Sequence, residues 1–347
     1  MAMNPLQQRL MRAITGSPGE PNLDDLLDRS DRLMEGAAAE PVGSGNGSKP
    51  RHTFAGKNPF SAMSPGQMLR YLPAGASEVV SFLASMRKIR GSGRAWRGMD
   101  PARPRFPEAG LPSMLDAELH RLGARSWGMV EIPSWAVFAG KVAPFPRALV
   151  FTGAMDAETV AKAPDFDVLP EVARAYGSVG RIGNRLATAL GRRGIRALPG
   201  HPLGGVVDYA ALGQLAGIGW VGRSGMLISP ADGPCQRIGL VYVDLPLFEP
   251  SPRVDHSWIG AFCASCGACA RRCPVGAIPG GPAERTPRTR GADGDLCLPY
   301  FHANWGCSAC IAACPFTKVG HDRIKASFER GHARGLVAGS AQPPASI

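Results

Sequence analysis

The chain has no apolar run close to the ~18 residues that a membrane-crossing helix requires. It also has no strand–G-x-G-x-x-G–helix unit, so no fused dinucleotide-binding domain is expected. Its opening, MAMNPLQQRLMRAITGSPGEPN, carries no apolar stretch behind its charges and no twin arginine, and a cytoplasmic location is expected. Acidic residues are few beside basic ones, 28 against 39, for a formal charge of +11. That balance suits nucleic acid, anionic lipid or an acidic protein partner, and equally an arginine-rich composition that only keeps the chain dispersed. With 44% hydrophobic and 19% charged residues, the sequence belongs to a folded protein and not a disordered one.

Glycine and proline are plentiful instead, and they crowd into particular stretches. Residues 1–60 read as a mobile arm and linker: two short amphipathic stretches (Leu6 to Ile14, Leu23 to Met34), then the polar, aperiodic EGAAAEPVGSGNGSKPRHTFAGKNP. In the body, residues 61–255, Ser64-Pro65 and Ser77 read as caps of two helices, the second ending near Ile89. Ser113 caps a helix through Leu122, and Trp127 to Pro133 and Arg147 to Asp156 read as strands. Leu169 to Arg193 has helical spacing, with a break expected near Gly177–Gly180. IRALPG is a short strand, YAALGQLAGIGW a helix closing on glycines, and GMLISP and RIGLVYVDLPL a pair of strands crossing the core. The alternation predicts an α+β chain built as an α/β sandwich. Residues 256–320 form a separate cysteine module, and 321–347 a tail.

Eight of the nine cysteines lie between Cys263 and Cys314. FCASCGACARRCPVGAI places Cys263, Cys266, Cys269 and Cys273 in the C-x2-C-x2-C-x3-C-P run of bacterial two-cluster ferredoxins. Three cysteines two residues apart wrap one cubane, while the fourth reaches the other. In NWGCSACIAACPFTK, Cys307, Cys310 and Cys314 match the last three positions, but Asn304 stands where the first cysteine belongs. Cys297, in DLCLPY, is the replacement. The expected sets are therefore Cys263, Cys266, Cys269 and Cys314 for one [4Fe–4S] cluster, and Cys273, Cys297, Cys307 and Cys310 for the other. Zinc sites use paired ligands and do not fit this spacing. Cys235, alone in ADGPCQRIG, reads as a packed structural residue.

The segments GQLAGIGWVGRSGMLISPADGPCQRIGLVYVDLPL, FCASCGACARRCPVGAI and CLPYFHANWGCSACIAACPFTK resemble, in that order, the core of cobalamin-dependent reductive dehalogenases and of the related epoxyqueuosine reductases. The resemblance runs from about Arg147 to Lys318. It implies a nitroreductase-like α/β sandwich that binds a corrinoid (cobalamin), followed by a two-[4Fe–4S] ferredoxin-like module that reduces the cobalt. It assigns Gly217, Gly219, Trp220, Gly222, Arg223 and Ser224 to the corrinoid; read from the residues alone, the same run is a Gly-rich turn. It places Tyr176 as the proton donor and Arg237 as the cation that poises it. At the dehalogenase asparagine position, in PGHPLGG, stands His201 or Pro202, and His201 either replaces the asparagine as donor or hydrogen-bonds in a loop. Trp220 matches the epoxyqueuosine reductases, but their V-D-S-A-P segment with its catalytic aspartate is missing, and Asp208 lies too close to the G-I-G-W turn to replace it. Dehalogenase is thus the better match.

The expected function is reductive removal of a group from a small organic substrate, with electrons passing through the two clusters to cobalt. An external ferredoxin or flavodoxin would dock on Arg271, Arg272, Arg285, Arg288 and Arg290. Two alternatives stand beside it: a tRNA-modifying epoxyqueuosine reductase, in which the positive charge meets RNA phosphate, and a non-catalytic iron–sulfur carrier.

Overall fold

The computed structural model describes residues 23–36, 42–43, 64–95, 110–203, 205–246, 254–280 and 291–333. In chain order the strands are β1 (Val42–Gly43), β2 (Trp127–Glu131), β3 (Val142–Ala143), β4 (Arg147–Ala154), β5 (Ala197–Pro199), β6 (Trp220–Val221), β7 (Leu227–Ile228) and β8 (Gln236–Val243). The helices of the body are α1 (Leu23–Gly36), α2 (Pro65–Ala95), α3 (Leu111–Leu122), α4 (Ala157–Val160), α5 (Val168–Arg192) and α6 (Tyr209–Leu215). Those of the cysteine region are α7 (Ser257–Cys266), α8 (Ala268–Arg272), α9 (Gly294–Ala303), α10 (Ala309–Ala312), α11 (Pro315–Lys318) and α12 (His321–Ala333).

The centre is an antiparallel sheet in the order β2–β4–β8–β5. Side chains alternate across a strand, so the unbroken apolar runs of β4 and β8 require cover on both faces. Both faces have it. Ala148, Val150, Leu240 and Tyr242 point into a core with Met34 of α1, Ile89 of α2 and Leu212 of α6. Leu149, Phe151, Val241 and Val243 point the other way, against Leu115 and Leu119 of α3 and Ile182, Leu186 and Leu190 of α5.

Several expectations are corrected. Ser64 does cap α2, exchanging hydrogen bonds with Gln67, but Ser77 does not start a second helix: α2 continues through Pro73 to Ala95. Helix α5 is unbroken, because Gly177 and Gly180 face α2 instead of interrupting the helix. A Cβ on Gly180 would lie 2.9 Å from Ser81 Cβ, and one on Gly177 2.7 Å from Ser77 Oγ. The two glycines therefore let α2 approach α5 closely, and Ser81 Oγ donates to Gly177 O at 2.8 Å.

Leu23 to Gly36 is not a free arm: α1 buries Met34, and β1 pairs with β3. Leu6 to Ile14 lies outside the described residues. GMLISP does not join the central sheet beside β8; its β7 pairs with β6 in a separate two-stranded ribbon. The start of the expected tail is helix α12, whose Ile324 is buried and whose Phe328 packs on Trp258 and Phe262. No helix among the described residues is long and apolar enough to cross a membrane.

Candidate functional site

Tyr176 projects from α5, and Arg237 sits on β8 opposite Gly153 of β4. The two meet: the Arg237 guanidinium carbon stands 4.8 Å from the centre of the Tyr176 ring, over its face. Arg237 Nη1 donates to Gln236 O at 3.4 Å, while its Nε is buried with no hydrogen-bond partner among the described residues. Helix α2 adds a residue that sequence reasoning missed. Glu78 is 9% exposed, and the Tyr71 hydroxyl donates to its Oε2 at 3.5 Å. Burial pushes the Glu78 carboxyl up to about 8, against the opposing pull of Arg237 and of the Tyr71 hydrogen bond. The available signal was an acid directly before the apolar pair Val79-Val80, hidden by reading Ser77 as a helix start.

His201 is placed differently. Its ring is buried, with Nε2 3.4 Å from Asp31 of α1 and its edge against Phe82 of α2, and its carbonyl accepts from the Tyr209 hydroxyl. Lys141 joins the same Asp31 at 2.8 Å. The contacts of His201 thus tie α1 to the body. Cys235 is buried, its thiol donating to Met155 O and pushed up to about 11 by burial.

In the cysteine region Gly267 takes φ +60°, the left-handed turn that separates α7 from α8. This turn puts Cys263 and Cys266 on α7 and Cys269 on α8 around one cavity, and Cys314, just before Pro315 opens α11, completes it. The cavity, about 330 Å³ including its mouth, is lined by those four cysteines and by Arg223, Ser224, Ile228, Phe262 and Phe316 among others. Burial pushes the thiols of Cys263 and Cys314 up to about 12, and their neighbouring thiols push the same way.

The second set is drawn together around Cys310. Burial, then the nearby thiols of Cys307, Cys269, Cys297 and Cys273, push it up to about 12. Cys269 belongs to the first set, so the two sets adjoin. Asn304 is occupied elsewhere: its side-chain amide donates to Tyr300 O at 2.9 Å at the end of α9. Trp305, Gly306, Cys307 and Ser308 follow in a left-handed run, with φ from 41° to 83°. Among the described residues no three His, Cys, Asp or Glu side chains form a group that could hold a metal ion. What the cysteines do offer is soft donors around a shared space, the donor chemistry of an iron–sulfur cluster.

In the Gly217 to Ser224 turn several backbone groups are taken up within the chain. The amides of Gly217, Val221 and Gly222 donate to Gln214 O, Gln214 Oε1 and Met226 O. A Cβ on Gly219 would lie 2.1 Å from Ile228 O, and the Trp220 ring packs against Gly260 of α7. Arg223, 2% exposed, donates to three carbonyls of the cysteine region. The turn is the wall of the first cysteine cavity. Arg271 and Arg272 are exposed at the end of α8; Arg285, Arg288 and Arg290 lie outside the described residues.

No family model matches the chain. A tetrachloroethene reductive dehalogenase of Desulfitobacterium hafniense is 29% identical over 238 residues, 64% of this chain and 41% of the relative. The chain is homologous to the reductive dehalogenases. The homology reaches the epoxyqueuosine reductases over a shorter stretch: that of Burkholderia pseudomallei is 32% identical over 141 residues, 35% of this chain and 32% of the relative. Among solved structures, the catabolic reductive dehalogenase NpRdhA shares the fold, with a TM-score of 0.55 and 23% identity over 64% of this chain and 35% of that one. The chain thus spans well under half the length of the reductive dehalogenases it matches.

Proposed function

We propose that the chain is an iron–sulfur oxidoreductase of the reductive-dehalogenase kind, which removes a group reductively from a small organic substrate. The observation that carries this reading is the cavity lined by Cys263, Cys266, Cys269 and Cys314. Three of these come from one motif and the fourth from another, some 40 residues on, and they are the four that ferredoxin spacing assigns to one cluster. Cys273, Cys297, Cys307 and Cys310 would hold the second.

Bound [4Fe–4S] clusters supply one-electron transfer at low potential. The chain's part is to seat them in thiolate sulfur and to keep water away, with Phe262, Phe316 and Ile228 around the first set. Cys310 of the second set and Tyr176 pack against the same apolar cluster, which includes Val172, Cys235 and Ile311. A substrate reduced beside Tyr176 therefore lies near the end of the electron route. Replacing a carbon–leaving-group bond by carbon–hydrogen takes two electrons and one proton and releases the group as an anion. Tyr176 would give the proton, and Arg237 over its ring would balance the negative charge that the phenol keeps. The homology also implies cobalamin, whose cobalt would accept these electrons, and none of the roles above depends on it.

The test is anaerobic purification and reconstitution with iron and sulfide. About eight iron and eight sulfide per chain support the reading; about four iron, or stoichiometric zinc, overturn it. Addition of cobalamin then separates an enzyme, which retains corrinoid absorption bands and turns over halogenated substrates, from a plain carrier, which shows iron–sulfur absorption alone. Retention of a modified tRNA stem-loop with turnover would move the assignment to the epoxyqueuosine reductases.

A further inference from the structure

Arg223 is among the most buried charged side chains in the described residues, and all of its fork is engaged with the cysteine region. Its Nε donates to Cys263 O at 3.0 Å, Nη2 to Ala264 O at 2.8 Å and Nη1 to Pro279 O at 3.0 Å. These carbonyls belong to α7 and to the segment that closes the first motif, so one guanidinium spans both ends of the loop. The neighbouring Gly222 has room for nothing larger: a Cβ there would lie 2.6 Å from Ile228 Cδ1 and 3.4 Å from Cys263 Sγ. Gly291 locks the turn from outside, since its Cβ would fall 2.0 Å from Gly225 N. Arg223 itself lines the cavity shared by Cys263, Cys266, Cys269 and Cys314.

Desolvating a permanent cation is expensive unless dipoles or anions answer it. Three carbonyl dipoles answer it in part, and the cysteine thiolates that coordinate a metal cluster answer it further. We infer that Arg223 is a positioning residue of the first cysteine set, a buried cation that fixes the Cys263 loop and raises the reduction potential of the cluster bound there. The inference rests on the cluster reading proposed above. Reduction adds a negative charge to a site that already carries four thiolates. A positive charge held against it in a low-dielectric interior favours the reduced form, and net charge and hydrogen bonding are the levers by which proteins set such potentials.

The experiment is a redox titration followed by electron paramagnetic resonance on reconstituted wild type, Arg223→Gln and Arg223→Lys. The signal lost in Cys297→Ser marks the second set and serves as the internal reference. Wild type holding about eight iron establishes the clusters first; a wild type without them overturns the cluster reading and, with it, the inference. With the clusters in place, Arg223→Gln shifts the first-set potential to more negative values and leaves the second unchanged, and Arg223→Lys restores most of the shift. If Arg223→Gln retains only the second cluster while Arg223→Lys retains both, the cation is again what holds the first set. Unchanged potentials in an Arg223→Gln protein with full iron, a shift shared equally by both signals, or iron loss that Arg223→Lys does not repair would overturn the inference.

Discussion

Arg237 stacks its guanidinium on the face of the Tyr176 ring, 4.8 Å from the ring centre, while its Nη1 donates to Gln236 O and not to the phenolic oxygen. The contact is therefore cation–π in kind, and it needs the ring more than the hydroxyl. Tyr176→Phe keeps the ring face and removes only the proton. Its thermal stability stays close to wild type, while turnover at equal cofactor loading falls on the order of 10²–10⁴-fold, the share of a general acid. Arg237→Met removes the contact itself and costs roughly 0.5–2 kcal/mol of stability in chemical denaturation. Equal turnover in wild type and Tyr176→Phe would make the tyrosine a packing residue.

Glu78 gives a pH signature. Its carboxyl is raised to about 8 in the folded chain by burial, far above its value in the unfolded chain. Below the unfolded value both states are protonated and the full stability is present. As pH climbs from about 4.5 to 8 the unfolded chain ionises while the folded chain holds its proton, and stability is lost across that window. The charge of Arg237 and the hydrogen bond from the Tyr71 hydroxyl both pull Glu78 down, against burial. Glu78→Gln is neutral at every pH, so it flattens this slope and exceeds wild type by about 1–4 kcal/mol near pH 8. Urea denaturation at pH 5, 6.5 and 8 measures it.

How much of this was readable depended on distance along the chain. The two faces of β4 and β8 were legible because consecutive apolar residues in a strand, such as Ala148 to Phe151 and Leu240 to Val243, place apolar side chains on both faces of a sheet. That Cys263, Cys266, Cys269 and Cys314 share one cavity was legible because ferredoxin-type spacing is short and fixed. Gly177 and Gly180 were misread because a glycine pair inside a helical pattern weakens the helix locally, whereas here it serves a partner some 100 residues upstream, a tertiary fact. Glu78 and the duty of Arg223 were hidden for the same reason: each is fixed by groups far away in sequence, Arg237 and Tyr71 for one, the carbonyls of Cys263, Ala264 and Pro279 for the other.

The α2–α5 approach supplies a test of that misreading. Alanine in place of a mid-helix glycine ordinarily gains about 1 kcal/mol of helix propensity. At Gly180 even the first carbon meets Ser81 Cβ at 2.9 Å and Pro202 Cγ at 3.1 Å. Gly180→Ala therefore gives no gain, and Gly180→Val destabilises by about 1–3 kcal/mol through overpacking. Stabilisation by Gly180→Ala of about the full helix-propensity gain would show that the two helices do not meet closely here.

Arg271 and Arg272 are exposed in the last turn of α8, between cysteines of the two sets. An acidic ferredoxin or flavodoxin docking there would reduce the clusters at a rate that falls as salt rises. Arg271→Glu with Arg272→Glu lowers the rate constant for reduction at least tenfold at low salt and flattens its dependence on ionic strength. Stopped-flow absorbance reads both, and dithionite reduction, which needs no docking, stays unchanged.

Cys297 carries the last prediction, since the second motif is one cysteine short. The position that ferredoxin spacing would fill is Asn304, and its side-chain amide is spent on Tyr300 O, closing α9 where the chain turns into the left-handed run from Trp305 to Ser308. An amide so engaged is poorly placed to ligate iron, and its neutral oxygen is a weak donor beside thiolates. Cys297 comes from the same helix, nearly two turns earlier, held by the Asp293 cap whose carboxylate accepts from the amides of Asp295 and Leu296. Its thiol acts on Cys310, as do those of Cys273 and Cys307. Cys297→Ser should therefore bring iron from about eight to about four per chain and remove one of two paramagnetic signals. Asn304→Ala should keep all eight and cost only the C-terminal hydrogen bond of α9, roughly 0.5–1.5 kcal/mol. Full iron in Cys297→Ser, or iron loss in Asn304→Ala, would transfer the fourth ligand to Asn304 or to a group the chain brings from elsewhere.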